Sequence, residues 1–355
     1  MKTDPKVLLD KYKPKQLKIV TPDAQLCTAR FSPDGKVLVA GSFVGTVRRF
    51  DPNADAFTEL PELKIHHAFV QCLVFHPDSQ RLFSADSWGN ITCTGDIAAK
   101  ETKTLWALPE AHGTWVRKLA LSPDGTILAS ASLDKTIKLW SVADGKKIGE
   151  FAVGADTLSV AFHPNGKSIV SGDLFGMVRE WDVASSKSVR EFDAKVFFKL
   201  DRIQDVGGVR CLLFSADGKT LYAAGSQPTS GGFVQGIPVL MSFDWTTGKS
   251  TQTLKFGADN EGYIHDLVWH PDGFLMLATS GQPGVGKLHF VQPDDEKPFF
   301  TTSFPNSHAV TLHPSGKRLV VSATNANSSG NGRVKGKTDK DYPANNSPLH
   351  VWQMG

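Results

Sequence analysis

Clustered cysteines are missing from this sequence. Its 355 residues include only four cysteines, and no two of them have the CxxC spacing of a metal or redox site. Without such spacing, single cysteines are expected to be small, buried apolar residues. We therefore expect no bound metal. The four residues are Cys27, Cys72, Cys93 and Cys211.

Strong charge and long apolar runs are also scarce. The chain has 39 Lys and Arg against 36 Asp and Glu, so its net charge of +3 gives no dominant field for attracting nucleic acid. The apolar run Val7–Leu9 near the start is far shorter than the roughly 7 to 15 residues of a signal peptide. No run reaches the roughly 20 apolar residues of a membrane helix. We therefore expect a cytoplasmic protein with no membrane contact.

Motifs of catalysis and nucleotide binding are missing too. The chain has neither GxSxG nor HExxH. Two fragments approach the GxxxxGK spacing of a phosphate-binding loop, but Gly281–Lys287 is followed by Leu288, and Gly336–Thr338 has Asn331 where the first Gly belongs. A true loop of this kind opens a helix, whereas a strand is predicted after both fragments. We therefore expect no cofactor and no catalytic residue.

What the chain does contain is a fragment that returns seven times. Each copy is an apolar strand, a turn of the type Ser/His-Pro-Asp-Gly, a second strand ending in small residues, and a third strand ending in an aromatic. Successive turns are 44, 46, 41, 52, 55 and 43 residues apart, at or above the roughly 40 to 45 residues of a four-stranded propeller blade. Histidines begin four of the turns at one equivalent position, so we interpret them as turn residues and not as metal ligands. The turns begin at Ser32, His76, Ser122, His163, Ser215, His270 and His313.

The third copy carries the strongest resemblance to a known family. Its fragments His112-Gly-Thr-Trp-Val, Leu121-Ser-Pro-Asp-Gly, Leu128-Ala-Ser-Ala-Ser-Leu-Asp134 and Thr136-Ile-Lys-Leu-Trp140 together resemble a WD40 repeat. The resemblance covers about residues 16–355 and implies an all-β fold, a seven-bladed β-propeller of four-stranded blades. It also implies a tetrad of loop His, strand Ser, turn Asp and strand Trp that hydrogen-bond one another. Here the tetrad would be His112, Ser130 or Ser132, Asp134 and Trp140.

The other copies depart from this tetrad. Repeat four keeps Trp181 but has Phe175 at the Asp position, and repeat two has Trp88 there. We therefore assign the tetrad to repeat three alone. The remaining blades are expected to be stabilised by packing more than by polar networks.

The repeat predicts one propeller domain and a way to close its ring. Blade seven ends with its third strand, whereas residues 16–20 precede blade one without a partner. Pairing of 16–20 with blade seven, as in WD40 rings, would satisfy both open edges and would bury Leu17 and Ile19. Residues 1–15 are then an N-terminal tail or a short cap. The predicted blades are 24–65, 66–110, 111–152, 153–206, 207–256, 257–303 and 304–355 with 16–20.

Four long connections emerge at one end of the predicted ring. We letter the four strands of a blade a to d in chain order. The b-to-c and d-to-a connections then lie at the same end of the blade, which we call the loop-rich end. The a-to-b turns at the opposite end stay short in all seven copies. Because loops tolerate extra length and carry function, we predict that the loop-rich end binds a partner. The four extensions are Asp193–Gly208, Ser226–Pro238, Gly281–Gly286 and Thr324–Ser347.

Aromatic residues are predicted at the same end. Some directly precede the first strand of a blade, and others lie in the short b-to-c turns. Exposed aromatic patches mark protein contact sites, and WD40 proteins commonly hold peptides with aromatics at these positions. The long loops of blades five and seven add a further aromatic and three basic residues. The predicted partner-binding residues are Phe43, Phe69, Trp88, Trp115, Phe175, Tyr263, Phe233, Arg333, Lys335 and Lys337.

These patterns favour a non-catalytic, monomeric scaffold that binds a protein or peptide through the loop-rich end. Two other functions stay open. A propeller hydrolase or lactonase would collect ligands for a metal from separate blades around the central channel, and it needs no local motif. A nucleic-acid binder would use the basic residues of the blade seven loop.

Overall fold

Seven four-stranded antiparallel sheets build the protein. The computed structural model describes residues 3–53, 57–229, 235–282, 284–293, 295–325 and 346–355. In these residues every strand belongs to one of the seven sheets, apart from a two-stranded hairpin. Each sheet is a blade, and its innermost strand contacts the innermost strands of both neighbouring blades around a closed ring. The predicted all-β, seven-bladed propeller is therefore confirmed.

The first part of the chain forms one helix, one separate strand and four blades. Helix α1 (Pro5–Tyr12) and strand β1 (Lys15–Val20) come first. Blade one contains β2 (Leu26–Phe31), β3 (Leu38–Ser42), β4 (Thr46–Asp51) and β5 (Thr58–Lys64), and blade two contains β6 (Val70–Phe75), β7 (Leu82–Asp86), β8 (Ile91–Gly95) and β9 (Lys103–Leu108). Blade three contains β10 (Val116–Leu121), β11 (Ile127–Ser132), β12 (Thr136–Ser141) and β13 (Lys147–Ala152), and blade four contains β14 (Thr157–Phe162), β15 (Ser168–Asp173), β16 (Met177–Asp182) and β17 (Ser188–Asp193).

The second part forms a hairpin and three more blades. A 3₁₀ turn (Lys195–Phe197) leads into the hairpin of β18 (Phe198–Asp201) and β19 (Gln204–Gly207). Blade five contains β20 (Val209–Phe214), β21 (Thr220–Pro228), β22 (Gly236–Asp244) and β23 (Ser250–Lys255), and blade six contains β24 (Tyr263–His270), β25 (Phe274–Ser280), β26 (Gly286–Val291) and β27 (Phe300–Phe304). Blade seven contains β28 (Ser307–Leu312), β29 (Arg318–Ala323), β30 (Leu349–Gln353) and β1.

The repeated sequence forms the turn between the first and second strands of each blade. In blade one the amide of Gly35 donates to the carbonyl of Ser32 at 2.9 Å, and the Ser32 hydroxyl donates to Oδ1 of Asp34 at 2.7 Å. Gly35 has a φ of +71°, a left-handed conformation that glycine adopts without strain. This local chemistry fixes the register of the first hairpin in each blade, which is why the period was readable from sequence.

Histidines in these turns connect neighbouring blades. Nε2 of His163 lies 3.0 Å from the carbonyl oxygen of Gly218 in the next blade. His313 makes the same contact with Gly35 at 3.1 Å, so it joins blade seven to blade one. His270 bonds the following blade in the same way. These side chains therefore stabilise the ring at the end opposite the long loops.

The N-terminal strand closes the ring. β1 pairs antiparallel with β30, with Lys15 opposite Gln353 and Val20 opposite Leu349. The closure predicted from sequence is confirmed. The prediction that this pairing buries Leu17 and Ile19 is wrong, because β1 is the outermost strand of its blade and both side chains remain 49% exposed. Backbone hydrogen bonds, more than apolar burial, hold this strand.

The residues before β1 are ordered by contacts with blade six. Asp4 caps helix α1 by accepting a hydrogen bond from the amide of Lys6 at 2.8 Å. Leu8 and Tyr12 are each only 5% exposed, and the Tyr12 ring lies 5.1 Å from that of Phe274. Most of the segment interpreted as a tail or a short cap is therefore a docked helix. Of the described residues, no helix has the length and apolar character needed to cross a bilayer.

Candidate interaction face and channel mouth

Among the described residues, the loop-rich end projects furthest over blades four and five. Strands β21 and β22 have 9 residues each and pair as far as Pro228 opposite Gly236. Much of the segment predicted as a loop is thus a projecting β-ribbon. The hairpin of β18 and β19 packs against β21. Two of the four predicted extensions therefore form one continuous projection.

The hairpin is fixed at its base and apolar at its tip. Phe197, just before the hairpin, is fully buried, and its carbonyl accepts a hydrogen bond from the amide of Gly208 at 2.7 Å. At the tip Ile203 is 97% exposed, and Leu200 beside it is 63% exposed. The projection therefore presents apolar side chains to solvent from a fixed position.

The other two extensions are described only in part. In blade six, Nδ2 of Asn306 donates to the carbonyl of Gly281 at 2.9 Å, and Oδ1 of Asn306 accepts from the amide of Gly284 at 2.9 Å. A side chain of blade seven therefore holds the blade six connection. The predicted binding residues Phe233, Arg333, Lys335 and Lys337 lie outside the described residues.

Three of the predicted aromatics form a row across blades one to three. The rings of Phe43 and Phe69 are 5.0 Å apart, and those of Phe69 and Trp115 are 5.8 Å apart in an edge-to-face arrangement. All three side chains are partly exposed. Aromatic pairs at such distances attract each other beyond their buried area. The row is therefore a preformed apolar surface.

The remaining aromatics lie at separate places on the same end. Trp88 is 64% exposed, and Phe175 is 40% exposed with its ring 5.2 Å from that of Phe198 at the hairpin. Tyr263 lies under the guanidinium group of Arg210, with the charge 4.1 Å from the ring centre. The six described aromatics therefore form several contact points and not one patch.

The first strand of every blade has the same irregularity. Each one shifts register after its first or second residue, so that one residue bulges out of the ladder. The seven bulge residues line one cavity of about 150 Å³ at the mouth of the central channel. They are Cys27, Gln71, Arg117, Leu158, Arg210, His265 and His308.

Cations outnumber carboxylates in this cavity. Arg30 forms two hydrogen bonds with the carboxylate of Asp266, at 2.7 and 3.0 Å. Arg117, Lys118 and Arg210 also line the cavity, and no carboxylate of the described ranges lies within ion-pair distance of them. Burial, and next the charge of Arg210, lowers the pKa of Arg117. The cavity is therefore a region of uncompensated positive charge.

The channel histidines and cysteines are uncharged at neutral pH. Burial lowers the pKa of His308 to about 4, and burial and then the charge of His308 hold the pKa of His265 well below its ordinary value. Burial raises the pKa of the Cys72 thiol to about 12 and that of Cys211 to about 11. Among the described residues no three His, Cys, Asp or Glu side chains are grouped so that they could hold a metal ion.

In blade three the structure brings four of the predicted tetrad residues together. Nδ1 of His112 lies 2.8 Å from Oδ2 of Asp134, and Nε2 lies 2.7 Å from Oγ of Ser130. The indole of Trp140 donates to the same Ser130 oxygen at 2.8 Å. The side chain of Ser132 instead accepts from the amide of Asp134. Of the two serines that the sequence left open, Ser130 is the one between the rings.

Blade two contains a similar network that the sequence analysis missed. Nδ1 of His66 lies 3.1 Å from Oδ2 of Asp86, and Nε2 lies 2.8 Å from Oγ of Ser84. Blade two thus has the His, Ser and Asp of the tetrad but not its Trp, and the complete tetrad is found in blade three. The carboxylate belongs to Asp86 at the end of β7. Trp88 occupies the position that corresponds to Asp134 of blade three, so comparison of equivalent positions did not find Asp86, two residues earlier. A threonine, Thr94, stands where blade three has its Trp, and its buried hydroxyl has no hydrogen-bond partner among the described residues.

Blade four uses the same strand-end position differently. The indole of Trp181 donates to Oγ of Ser171 at 2.9 Å, as in blade three. Asp173, at the end of β15, pairs with Arg179 at 2.7 Å instead of with a histidine. Blade four therefore contains polar contacts of its own beside its apolar packing.

Comparison with known proteins agrees with this geometry. A family model for the WD40 repeat (WD domain, G-beta repeat) matches residues 57–93 and 101–141. Each matched segment starts near the outer strand of one blade and ends in or at the third strand of the next. The sequence repeat is therefore offset from the blade by one strand. This offset explains why β1 supplies the outer strand of blade seven.

Similar proteins share only part of their length with this chain. A WD repeat-containing protein, SL1-17 of Schistosoma mansoni, is 34% identical over 35% of this chain and 39% of its own length. WD repeat-containing protein 1 of Xenopus tropicalis is 35% identical over 30% of this chain and 19% of its own length. The guanine nucleotide-binding protein subunit beta of Oryza sativa subsp. indica is 27% identical over 36% of this chain and 34% of its own length. The chain therefore contains WD40 repeats at residues 57–93 and 101–141, and it folds as a closed seven-bladed β-propeller.

Proposed function

We propose that this chain is a non-catalytic interaction platform that receives a peptide or protein on its loop-rich end. WD repeat proteins are generally protein-interaction scaffolds. The observation that carries the proposal is the coincidence of exposed aromatics and projecting structure at one end. Trp88, Phe175 and the row from Phe43 to Trp115 lie at the same end as the β18–β19 hairpin.

The energetics of protein interfaces support this choice of surface. Interface residues whose removal costs about 2 kcal/mol or more of binding energy are enriched in Tyr, Trp and Arg. Trp88 is unusual because 64% of its surface remains exposed in the free chain. Burial of a large aromatic against a partner would remove this apolar area from water, which is favourable.

The charge of the channel also supports a non-catalytic role. The hydrolase alternative would place a divalent metal ion at the channel mouth, where Arg117, Lys118 and Arg210 have no carboxylate partner in the described part of the chain. Like charges repel a cation strongly in a partly buried site. This site favours an anion over a metal ion.

Substitution of the exposed aromatics tests the proposed surface. The full chain is immobilised, partners are captured from native lysate and identified, and the affinity of the main partner is then measured. We expect Trp88→Ala and Trp115→Ala each to weaken this affinity by about 2 kcal/mol, roughly thirtyfold. Melting temperatures show whether either variant is misfolded; Trp88→Ala is the cleaner change because its side chain is mostly exposed.

Two kinds of control belong to this experiment. Leu105→Ala removes a 50% exposed apolar side chain from the outer strand β9, and Lys36→Ala and Lys167→Ala change the a-to-b turns at the opposite end. None of these changes should affect the affinity. If the lysine variants lose the partner while the tryptophan variants keep it, the partner binds the opposite end and the proposal is wrong.

A further inference from the structure

The bulge in each first strand aims one side chain from every blade at the channel mouth. Two of these seven residues are arginines, Arg117 from blade three and Arg210 from blade five, and both line the same cavity. Bulges re-aim side chains and are common next to functional sites. Because the bulge recurs in all seven blades, the fold places these two guanidinium groups in one layer.

The single carboxylate of the cavity does not neutralise these arginines. Among the described lining residues, Asp266 is the only acid, and it is already bound by Arg30 through two hydrogen bonds and by the amide of Val310 at 3.1 Å. Lys118 adds a further positive charge to the same wall. Three cations thus face the cavity without an acidic partner in the described ranges.

The two arginines also have unused hydrogen-bond donors. The Nε atoms of Arg117 and Arg210 are buried, and neither has a hydrogen-bond partner among the described residues. Buried donors without partners are costly, and the cost is greater when the group is charged. Each guanidinium group instead lies over an aromatic ring, 5.8 Å from the centre of Trp115 and 4.1 Å from that of Tyr263. These rings hold the cations in position before any ligand arrives.

We propose that the channel mouth is an oxyanion site, in which a carboxylate or a tetrahedral anion is bound between Arg117 and Arg210. Guanidinium groups match the geometry of such anions and form strong charge-assisted hydrogen bonds with them. An anion would satisfy the free donors and offset the mutual repulsion of the cations. His265 and His308 face the same space.

The size and position of the cavity suit one group and not a whole small molecule. Its volume of about 150 Å³ is below the roughly 300 to 1,000 Å³ of typical small-molecule sites. Trp115 precedes Arg117 by two residues, and Tyr263 precedes the bulge residue His265 by two, so the aromatics form a rim above the cations. A partner on this rim could place an acidic or phosphorylated side chain in the cavity; this source of the anion rests on the function proposed above.

Sulfate is a suitable probe because it keeps its double charge over the pH range in which proteins are stable. Titration of the full chain with sulfate at low ionic strength, followed by calorimetry and by melting temperature, measures the site without any partner. We expect saturable binding to the native chain, at least tenfold weaker binding to Arg117→Gln and Arg210→Gln, and no measurable binding to the double variant. Without sulfate, the variants should melt at or above the temperature of the native chain, because a repelling charge has been removed.

A matched control separates a built site from general charge screening. Lys167→Gln removes an exposed cation at the opposite end and should bind sulfate as the native chain does. Non-saturable binding, or an equal loss in Lys167→Gln and Arg117→Gln, would overturn the proposal. Arg210→Lys, which keeps the charge but loses the fork of donors, should bind sulfate more weakly than the native chain and more tightly than Arg210→Gln.

Competition identifies the source of the anion. If a partner supplies it, saturating sulfate should weaken capture of that partner by the native chain but not by the double variant. If a free anion such as inorganic phosphate is the ligand, phosphate should bind at the same site and leave capture unchanged. Either result supports an oxyanion site between Arg117 and Arg210. If the proposed platform function is wrong, sulfate should still bind at this site.

Discussion

Deletion of residues 1–20 is expected to abolish cooperative unfolding and to cause aggregation. The deletion removes β1 and leaves the edge of β30 unpaired along the register from Leu349 to Gln353. An open, flat strand edge is a template for pairing with other chains. The deletion also exposes the surface of blade six that is covered by Leu8 and Tyr12, each worth about 1.5 to 3 kcal/mol of burial.

A shorter deletion separates the two contributions. Removal of residues 1–13 eliminates helix α1 but keeps β1 paired with β30. This variant should not aggregate, and it should melt cooperatively at a lower temperature than the full chain. Calorimetry and light scattering measure both deletions. A 1–20 deletion that melts as sharply and as late as the 1–13 deletion would show that β1 does not close the ring.

The second large effect is expected at the buried carboxylate of blade two. Asp86 is fully buried and accepts hydrogen bonds from Asn90 Nδ2 at 2.8 Å and from the amide of Trp88 at 2.9 Å, besides its contact with His66. Asp86→Ala should lower the free energy of unfolding by about 3 kcal/mol, because it leaves several buried groups without a partner. Chemical denaturation measures this loss.

Asp134 of blade three should show a smaller loss. Its side chain is 16% exposed, so water can replace part of the network, and we expect a loss of about 1 to 3 kcal/mol for Asp134→Ala. Glu101→Ala changes an exposed carboxylate and should cost less than about 0.5 kcal/mol. Equal stability of all three variants would contradict the structural role of the two networks.

The same carboxylates should make stability depend on acid pH. Burial alone would raise the pKa of Asp86, but hydrogen bonds from His66 and Asn90 outweigh it and the net pKa is lowered. The pKa of Asp134 is lowered in the same way by His112 and Thr136. A lowered folded pKa gives stability that is present above the unfolded value, about 3.9, and is lost as pH falls through the folded value. In Asp86→Asn the free energy of unfolding should therefore decrease less as the pH falls than it does in the native chain.

Much of the fold could be predicted because each blade repeats the same turn sequence, whose residues determine the local structure. The turn of Ser32 to Gly35 combines a side-chain acceptor with a glycine at positive φ, and both are visible in sequence. Ring closure could also be predicted, because the sequence has one strand without a partner, at 16–20, and one blade without an outer strand, blade seven. Helix α1 escaped prediction because it is short and depends on tertiary burial of Leu8 and Tyr12.

The site residues were harder to predict, because the direction of a side chain determines which groups it contacts. Asp86 reaches His66 from a strand end and Asp134 reaches His112 from a turn, so counting positions identified one and missed the other. The channel cations were missed because a bulge breaks the alternation of inward and outward residues. Their signal was an arginine, Arg117 or Arg210, at the second position of an inner strand.

Amide hydrogen exchange of the full chain, with and without its captured partner, tests the central claim most directly. Binding to the loop-rich end predicts slower exchange at the b-to-c turns around Phe43, Trp88 and Phe175 and in the ribbon of β21 and β22. The a-to-b turns, such as the one that begins at Ser32, should exchange at the same rate in both samples. Protection confined to those a-to-b turns, with the aromatic turns unchanged, would contradict the account.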